Sequence, residues 1–172
     1  MKQFLGKFLQ KDNNIPEKAN QPEPILALSI SAGVVKASIW ELNDHTIQII
    51  GLGVKTFSDN GREKEVDYKS LSDKTAESID LACQVAEVDI KKTFFGLPQS
   101  WFKGEDIYPE YNELLEKLAA SLDLEAIAYV SIPHSISYYL QYLHKTPTTA
   151  LLIGSSHEGA QICYVEQGKI KE

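Results

Sequence analysis

Residues 25–54 read ILALSISAGVVKASIWELNDHTIQIIGLGV, and this stretch predicts how the fold begins. The apolar run 25–30 is rich in β-forming residues and stops at a small-residue turn. Residues 35–40 alternate apolar with other side chains, which is typical of a strand with one buried face. Residues 46–54 are a third, isoleucine-rich strand, in which Gly51-x-Gly53 indicates a strand irregularity. We therefore expect a three-stranded antiparallel meander.

The sequence after this meander alternates predicted helices and strands. Ser70-x-x-Asp73 resembles a capping box, so we expect a helix to begin there. Pro109 and Pro133 suit first helical positions, and the helix after Pro109 should bury Leu118. Further strands are expected at residues 93–97, 126–132, 150–153 and 160–165. The order β-β-β-α-β-α-β-α, then β-β, predicts an α/β fold with a mixed five-stranded sheet, the unit shared by ribonuclease-H-like and actin-like folds.

A weak internal repeat suggests how the chain divides. Residues 26–43 and 150–168 both read as strand, small-residue turn, strand and polar turn. We expect residues 1–24 to be an amphipathic N-terminal segment and linker. Residues 25–148 should form a first lobe, and residues 149–172 the first hairpin of a second, truncated lobe.

Composition and charge exclude several functional classes. The 172 residues contain 17 lysines and arginines and 24 aspartates and glutamates, giving a net charge of −7. An acidic chain of this kind is a poor general nucleic-acid binder, which needs a basic face. Cys83 and Cys163 are too far apart in sequence to indicate a zinc site, and Cys83 suits a core position. A cytoplasmic protein is the plain interpretation.

The first residues are apolar and basic at helical spacing. Phe4, Leu5, Phe8 and Leu9 share one helical face, with lysines elsewhere around the helix. Such a segment can bind an anionic membrane surface, dock in a partner's groove, or be a frayed terminus. Membrane binding would place the chain at the inner face of the membrane.

Four segments resemble the FtsA/PilM group of bacterial actin-like proteins, over about residues 25–170. Residues 25–37 look like the first phosphate-loop hairpin of that group, and residues 94–100, FFGLPQS, look like its G-L-P-x-S-like turn. Residues 128–133 resemble the strand and helix that close the first lobe. Residues 151–170 resemble the second phosphate-loop hairpin. The resemblance implies an actin-like fold and, in intact members, ATP and magnesium held between two lobes.

The phosphate loops depart from this pattern. In the first loop, Ser29 stands where the family has its metal-organising aspartate, and Ser31, Ala32 and Gly33 follow in place of a glycine and hydroxyl residues. In the second loop, Gly154 replaces the other aspartate. The glycine run that follows in the family is here replaced by Ser155, Ser156, His157 and Glu158.

The missing acids bear directly on chemistry. Magnesium is bound chiefly through carboxylates and phosphate oxygens, and phosphoryl transfer depends on that electrostatic positioning. Two-metal nucleases need clustered carboxylates as well. We therefore expect no catalytic residue, no metal and no cofactor. ATP with magnesium in a longer native protein remains the alternative. The serine, histidine and acid of residues 155–158 indicate a polar hairpin turn rather than a catalytic triad.

Aromatic residues offer candidate contact surfaces. Tyr138 and Tyr142 lie one helical turn apart and could form an exposed patch for a protein partner, with Tyr139 in the core. Trp101 and Phe102 follow a turn and either pack over the sheet edge or make an outside contact.

Three functional hypotheses follow. The first is a non-catalytic actin-like scaffold or adaptor of a membrane-associated complex, such as cell division or type IV pilus assembly, with protein partners and no nucleic acid. The second is an ATP-binding, FtsA/PilM-like ATPase domain with atypical phosphate loops. The third is a purely structural remnant of the actin fold.

Overall fold

The computed structural model describes residues 23–31, 33–43, 46–56, 67–147, 149–156 and 159–171, and side chains at all of these except 155, 156 and 159–161. The N-terminal segment 1–22 lies outside this part. The strands are β1 (Ile25–Ser31), β2 (Val34–Asn43), β3 (Thr46–Thr56), β4 (Lys92–Leu97), β5 (Phe102–Lys103), β6 (Asp106–Ile107), β7 (Glu125–Ser131), β8 (Ala150–Ser156), β9 (Gly159–Glu166) and β10 (Lys169–Lys171). The helices are α1 (Tyr68–Ala86), α2 (Pro109–Ser121) and α3 (Ile132–His144), with a 3₁₀ turn at Gln99–Trp101.

The main sheet has five strands in the order β3-β2-β1-β4-β7. Strand β2 is antiparallel to both β1 and β3, whereas β4 is parallel to both β1 and β7. The predicted meander and mixed five-stranded sheet are therefore confirmed. Because β1, β4 and β7 are parallel, their carboxyl ends meet at one edge of the sheet.

The core lies between one face of this sheet and helices α1 and α2. Alternate residues of β1 and β4, including Leu28 and Phe95, are fully buried on this face. Helix α2 contributes Leu118, which is fully buried as expected. Trp101 is also buried and stacks on Tyr111 of α2 with 4.5 Å between ring centroids, so it packs within the fold.

Helix α1 begins earlier than the sequence predicts. Its N-cap is Asp67, whose carboxylate accepts a hydrogen bond from the Lys69 backbone N–H at 3.1 Å. Ser70 and Asp73 therefore lie inside the helix and do not form the expected capping box. Asp67 directly precedes Tyr68 and accepts a hydrogen bond from a free N–H of the first turn. The helix therefore needs no cap further along the chain.

Two glycines of β3 bring the sheet into close contact with α1. The Ser78 hydroxyl accepts from the Ala37 N–H at 3.2 Å and donates to the Gly53 carbonyl at 2.8 Å. A Cβ at Gly53 would lie 1.9 Å from the Ser78 carbonyl oxygen, and one at Gly51 2.2 Å from that of Ala82. The predicted irregularity is also present, as a register shift between β2 and β3. Glycine is needed here because the helix leaves no room for a side chain.

Helix α3 lies beside a second, three-stranded sheet in the order β10-β9-β8. The side chains of Ser137 and Gln141 donate to the Gly168 carbonyl at 3.4 and 3.3 Å. These polar residues therefore form the inner face of α3, and Tyr139, expected in the core, is exposed instead. That this sheet belongs to a second lobe remains a prediction.

In the described part of the chain, no helix is both long and apolar enough to cross a bilayer.

Candidate functional site

The predicted ligand site lies at the carboxyl ends of β1, β4 and β7. Ser29 of β1 is in register with Gly96 of β4, which in turn is in register with Val130 of β7. In open α/β sheets, ligands bind outside the carboxyl ends of parallel strands. Ser29 therefore lies near the carboxyl end of β1, and its place in a degenerate phosphate loop remains a prediction.

The first loop keeps its turn but has a different charge. Ser29 and Ser31 lie in β1 and are partly buried, while Ala32 lies outside the described residues. Gly33 is buried in the turn to β2 with φ of 70°, a left-handed conformation that favours glycine. Ser29 lies between Gly96 of β4 and Lys36 of β2, with which it is paired across the sheet. The position of the expected carboxylate therefore holds a hydroxyl next to a lysine.

The second loop is the end of the β8–β9 hairpin. Backbone pairing continues through Gly154 opposite Gln161, Ser155 opposite Ala160, and Ser156 opposite Gly159. His157 and Glu158, at the tip, lie outside the described residues. Ser155 and Ser156 belong to a strand ladder in which alternate residue pairs exchange backbone hydrogen bonds across the hairpin. This arrangement is that of an ordinary hairpin.

The structure adds two residues that the sequence analysis missed. Ser131 is the N-cap of α3, and its hydroxyl oxygen accepts from the His134 N–H at 3.3 Å. The same oxygen lies 2.8 Å from Nδ1 of the His134 ring. Burial lowers the pKa of His134, and the charge of Glu105 opposes that shift. Because Ser131 is buried and caps the helix, the pair is a helix start rather than a nucleophile and base. The sequence signal for this helix start was Ser-x-x-His at residues 131–134, ahead of an apolar run.

A groove of about 440 Å³ separates the turn after β4 from the second sheet. Its wall includes Gln99, whose Oε1 atom is buried and has no hydrogen-bond partner among the described residues. The full lining is Gln99, Ser100, Phe102, Tyr108, Ile162, Cys163, Ile170 and Lys171. The lining contains one cation and no carboxylate.

The charge pattern of the site limits its chemistry. The carboxyl-terminal halves of β1, β4 and β7 contain no aspartate or glutamate. Within the described ranges, no three His, Cys, Asp or Glu side chains are grouped so that they could hold a metal ion. The residues at the strand ends can donate hydrogen bonds and offer one lysine, but they provide no anionic cradle for magnesium.

Exposed aromatic residues lie on α3. Tyr138 is 40% exposed and Tyr142 is 76% exposed, and Tyr139 and Leu143 are exposed as well. We call these four residues the α3 patch. Aromatic side chains at a surface are enriched among those that dominate protein–protein binding. The expected exposure of Tyr138 and Tyr142 is confirmed.

Comparison with known proteins supports the fold alone. No family model matches the chain, and no curated protein matches it. The structure is similar to ethanolamine utilization protein EutJ from Carboxydothermus hydrogenoformans, with a TM-score of 0.62, 13% identity, and coverage of 88% of this chain and 50% of that protein. It is also similar to the Aquifex aeolicus Ppx/GppA phosphatase, type II variant, with a TM-score of 0.53, 13% identity, and coverage of 87% and 50%.

These structural neighbours have actin-like, ribonuclease-H-like folds. The ribonuclease-H-like, actin-like fold predicted from the sequence is thereby confirmed. The chain spans about half the length of the solved structures that it matches.

Proposed function

We propose that this chain is a non-catalytic, actin-like adaptor of a membrane-associated complex, in the manner of FtsA or PilM in cell division or type IV pilus assembly. The observation that supports this proposal is the pairing of Ser29 with Lys36 and Gly96 at the carboxyl end of β1. A metal-dependent member of the fold needs a carboxylate at this point.

The electrostatics of this position oppose a divalent cation. A lysine ammonium repels Mg²⁺, and a serine hydroxyl supplies no compensating negative charge. Without the metal, the charge of a transferring phosphoryl group is not neutralised in the way that the reaction requires. We therefore infer a binding role rather than phosphoryl transfer.

Two surfaces supply the partner contacts in this proposal. The α3 patch presents exposed tyrosines, which suit a protein partner. The N-terminal segment, with Phe4, Leu5, Phe8 and Leu9 on one helical face, suits an anionic bilayer or a partner groove. The second surface is proposed from sequence.

ATP binding is the second candidate, and the buried Gly33 turn favours it. The positive φ of Gly33 keeps the first hairpin tight, as a loop that approaches a phosphate requires. Nucleotide binding without catalysis would also be compatible with an adaptor.

Thermal unfolding with and without Mg-ATP tests the proposal. A ligand at about 100 times its Kd stabilises a protein by about 2.7 kcal/mol. For a chain of this size, that corresponds to a rise in Tm of roughly 5–10 °C. We expect no rise in Tm at about 1 mM Mg-ATP, which is about 100 times the Kd of a site that binds with a Kd of about 10 μM. A rise of that size would establish nucleotide binding and favour the second candidate, and ATP hydrolysis by the same sample would overturn the non-catalytic proposal. AMP with magnesium serves as the control for non-specific effects.

A further inference from the structure

One face of the antiparallel meander carries large apolar side chains that no described element covers. Helix α1 packs on the opposite face, and α3 contacts β4, β7 and β10. Ile47, Ile49 and Leu52 are 62%, 57% and 55% exposed. The exposed residues of this surface, which we call the outer β2–β3 face, are Trp40, Leu42, Ile47, Ile49, Leu52 and Val54.

Strand register makes these residues one continuous surface. Trp40 lies opposite Ile49, and Leu42 lies opposite Ile47. The Trp40 indole N–H donates to the Ser38 hydroxyl at 2.7 Å, so the ring lies along β2 on this face. Single exposed apolar residues are ordinary, but a contiguous group of six indicates a surface that something covers.

The chain itself enters the sheet at this surface. Ile25, the first residue of β1, is in register with Trp40. Trp40 and Ile49 lie one and two strands away from Ile25, a distance of about 10 Å at the usual strand spacing. Glu23 pairs with Lys92 at the start of β4, and residues 10–22 separate it from Leu9. A random coil of that length spans about 20 Å on average. A segment ending at Leu9 can therefore reach the outer β2–β3 face.

The segment and the body are complementary in chemistry as well as in position. Residues 1–22 contain four lysines and two acids, a net charge of +2, which leaves −9 for the remainder of the chain. Phe4, Leu5, Phe8 and Leu9 supply four apolar side chains to an uncovered apolar face.

We propose that residues 4–9 dock on the outer β2–β3 face of the same chain. Tethering gives the segment an effective concentration in the millimolar range, so a submillimolar intrinsic Kd for the face is enough to keep it bound. A second copy would have to compete at its much lower free concentration. The inference goes beyond the adaptor function, because a docked segment cannot bind a bilayer or partner at the same time. The fold would thus control access to its own docking element.

Fluorescence quenching of Trp40 by acrylamide tests this contact in the full chain. A Trp101→Phe background leaves Trp40 as the single tryptophan. In that background, two double variants are compared. The first carries Phe4→Glu and Phe8→Glu. The second carries Gln3→Glu and Gln10→Glu, which add the same charge but keep the apolar residues. We expect the first pair to raise the quenching constant about twofold and shift emission to the red, since an undocked Trp40 is in water. The second pair should change neither.

Equal quenching in the two pairs would overturn the proposal. Protection of Trp40 that disappears on dilution, together with a dimer in sedimentation velocity, would assign the face to a second copy and would also overturn it. If Trp101→Phe prevents folding, the same comparison holds in the unsubstituted chain, because Trp101 is only 7% exposed and contributes little to quenching. Far-UV circular dichroism verifies that every variant is folded.

Discussion

Replacing Gly53 with alanine should separate β3 from α1. The added Cβ would lie 1.9 Å from the Ser78 carbonyl oxygen, whereas real Cβ contacts essentially never fall below 3.0 Å. The strand or the helix must therefore move by at least about 1.1 Å. The obstructing atom is helix backbone, which cannot rotate away as a flexible side chain would.

The cost of this movement has two parts. Overpacking of a tight contact typically costs about 1–3 kcal/mol. The same movement would stretch the 2.8 Å hydrogen bond from the Ser78 hydroxyl to the Gly53 carbonyl beyond bonding distance. Loss of a buried hydrogen bond adds about 1–2 kcal/mol. We expect Gly53→Ala to lower the free energy of unfolding by about 2–5 kcal/mol, a large share of the stability of an ordinary domain.

Urea unfolding followed by circular dichroism measures this loss, and Gly96→Ala is the matched control. Gly96 also lies in a central region of the sheet, but its Cβ would be 3.7 Å from the nearest atom, Ile132 Cγ1, an ordinary contact. Alanine there should be neutral or stabilise by up to about 1 kcal/mol, because glycine is unfavourable in a strand. Equal midpoints for the two variants would refute the argument from close approach.

Two other changes follow from buried polar groups. Thr75→Val should raise the free energy of unfolding by about 1 kcal/mol, because the buried Thr75 hydroxyl has no hydrogen-bond partner among the described residues. Ser78→Ala, one turn along α1, should lower it by about 1–3 kcal/mol, because the Ser78 hydroxyl donates to the Gly53 carbonyl. Urea midpoints that move in the same direction for both would contradict this. Stability should also fall as pH drops below about 6.5, because burial lowers the pKa of His134 and the unfolded chain then binds more protons. His134→Gln should reduce the difference between urea midpoints at about pH 7.5 and 5.5, and an unchanged difference would exclude His134 as its source.

Local sequence patterns were sufficient for the order of the main elements and for the class of sheet, but they did not predict the short strands β5, β6 and β10. Alternation in residues 35–40 predicted a strand, and Pro109 and Pro133 marked helix starts because proline is tolerated only in the first turn. The replacement of an expected acid by Ser29 could likewise be read directly. Each of these inferences depends on residues close together in the chain.

Tertiary structure alone showed why Gly53 must be glycine and that Tyr139 faces solvent. It also decided which face of the meander is covered. The sequence of β2 and β3 places apolar residues on both faces, with Ala37 on one and Trp40 on the other. Alternation assigns residues to faces but does not say where a distant helix packs. Helix α1 covers the Ala37 face because Gly51 and Gly53 allow its backbone to approach there, and the Trp40 face is left to another occupant.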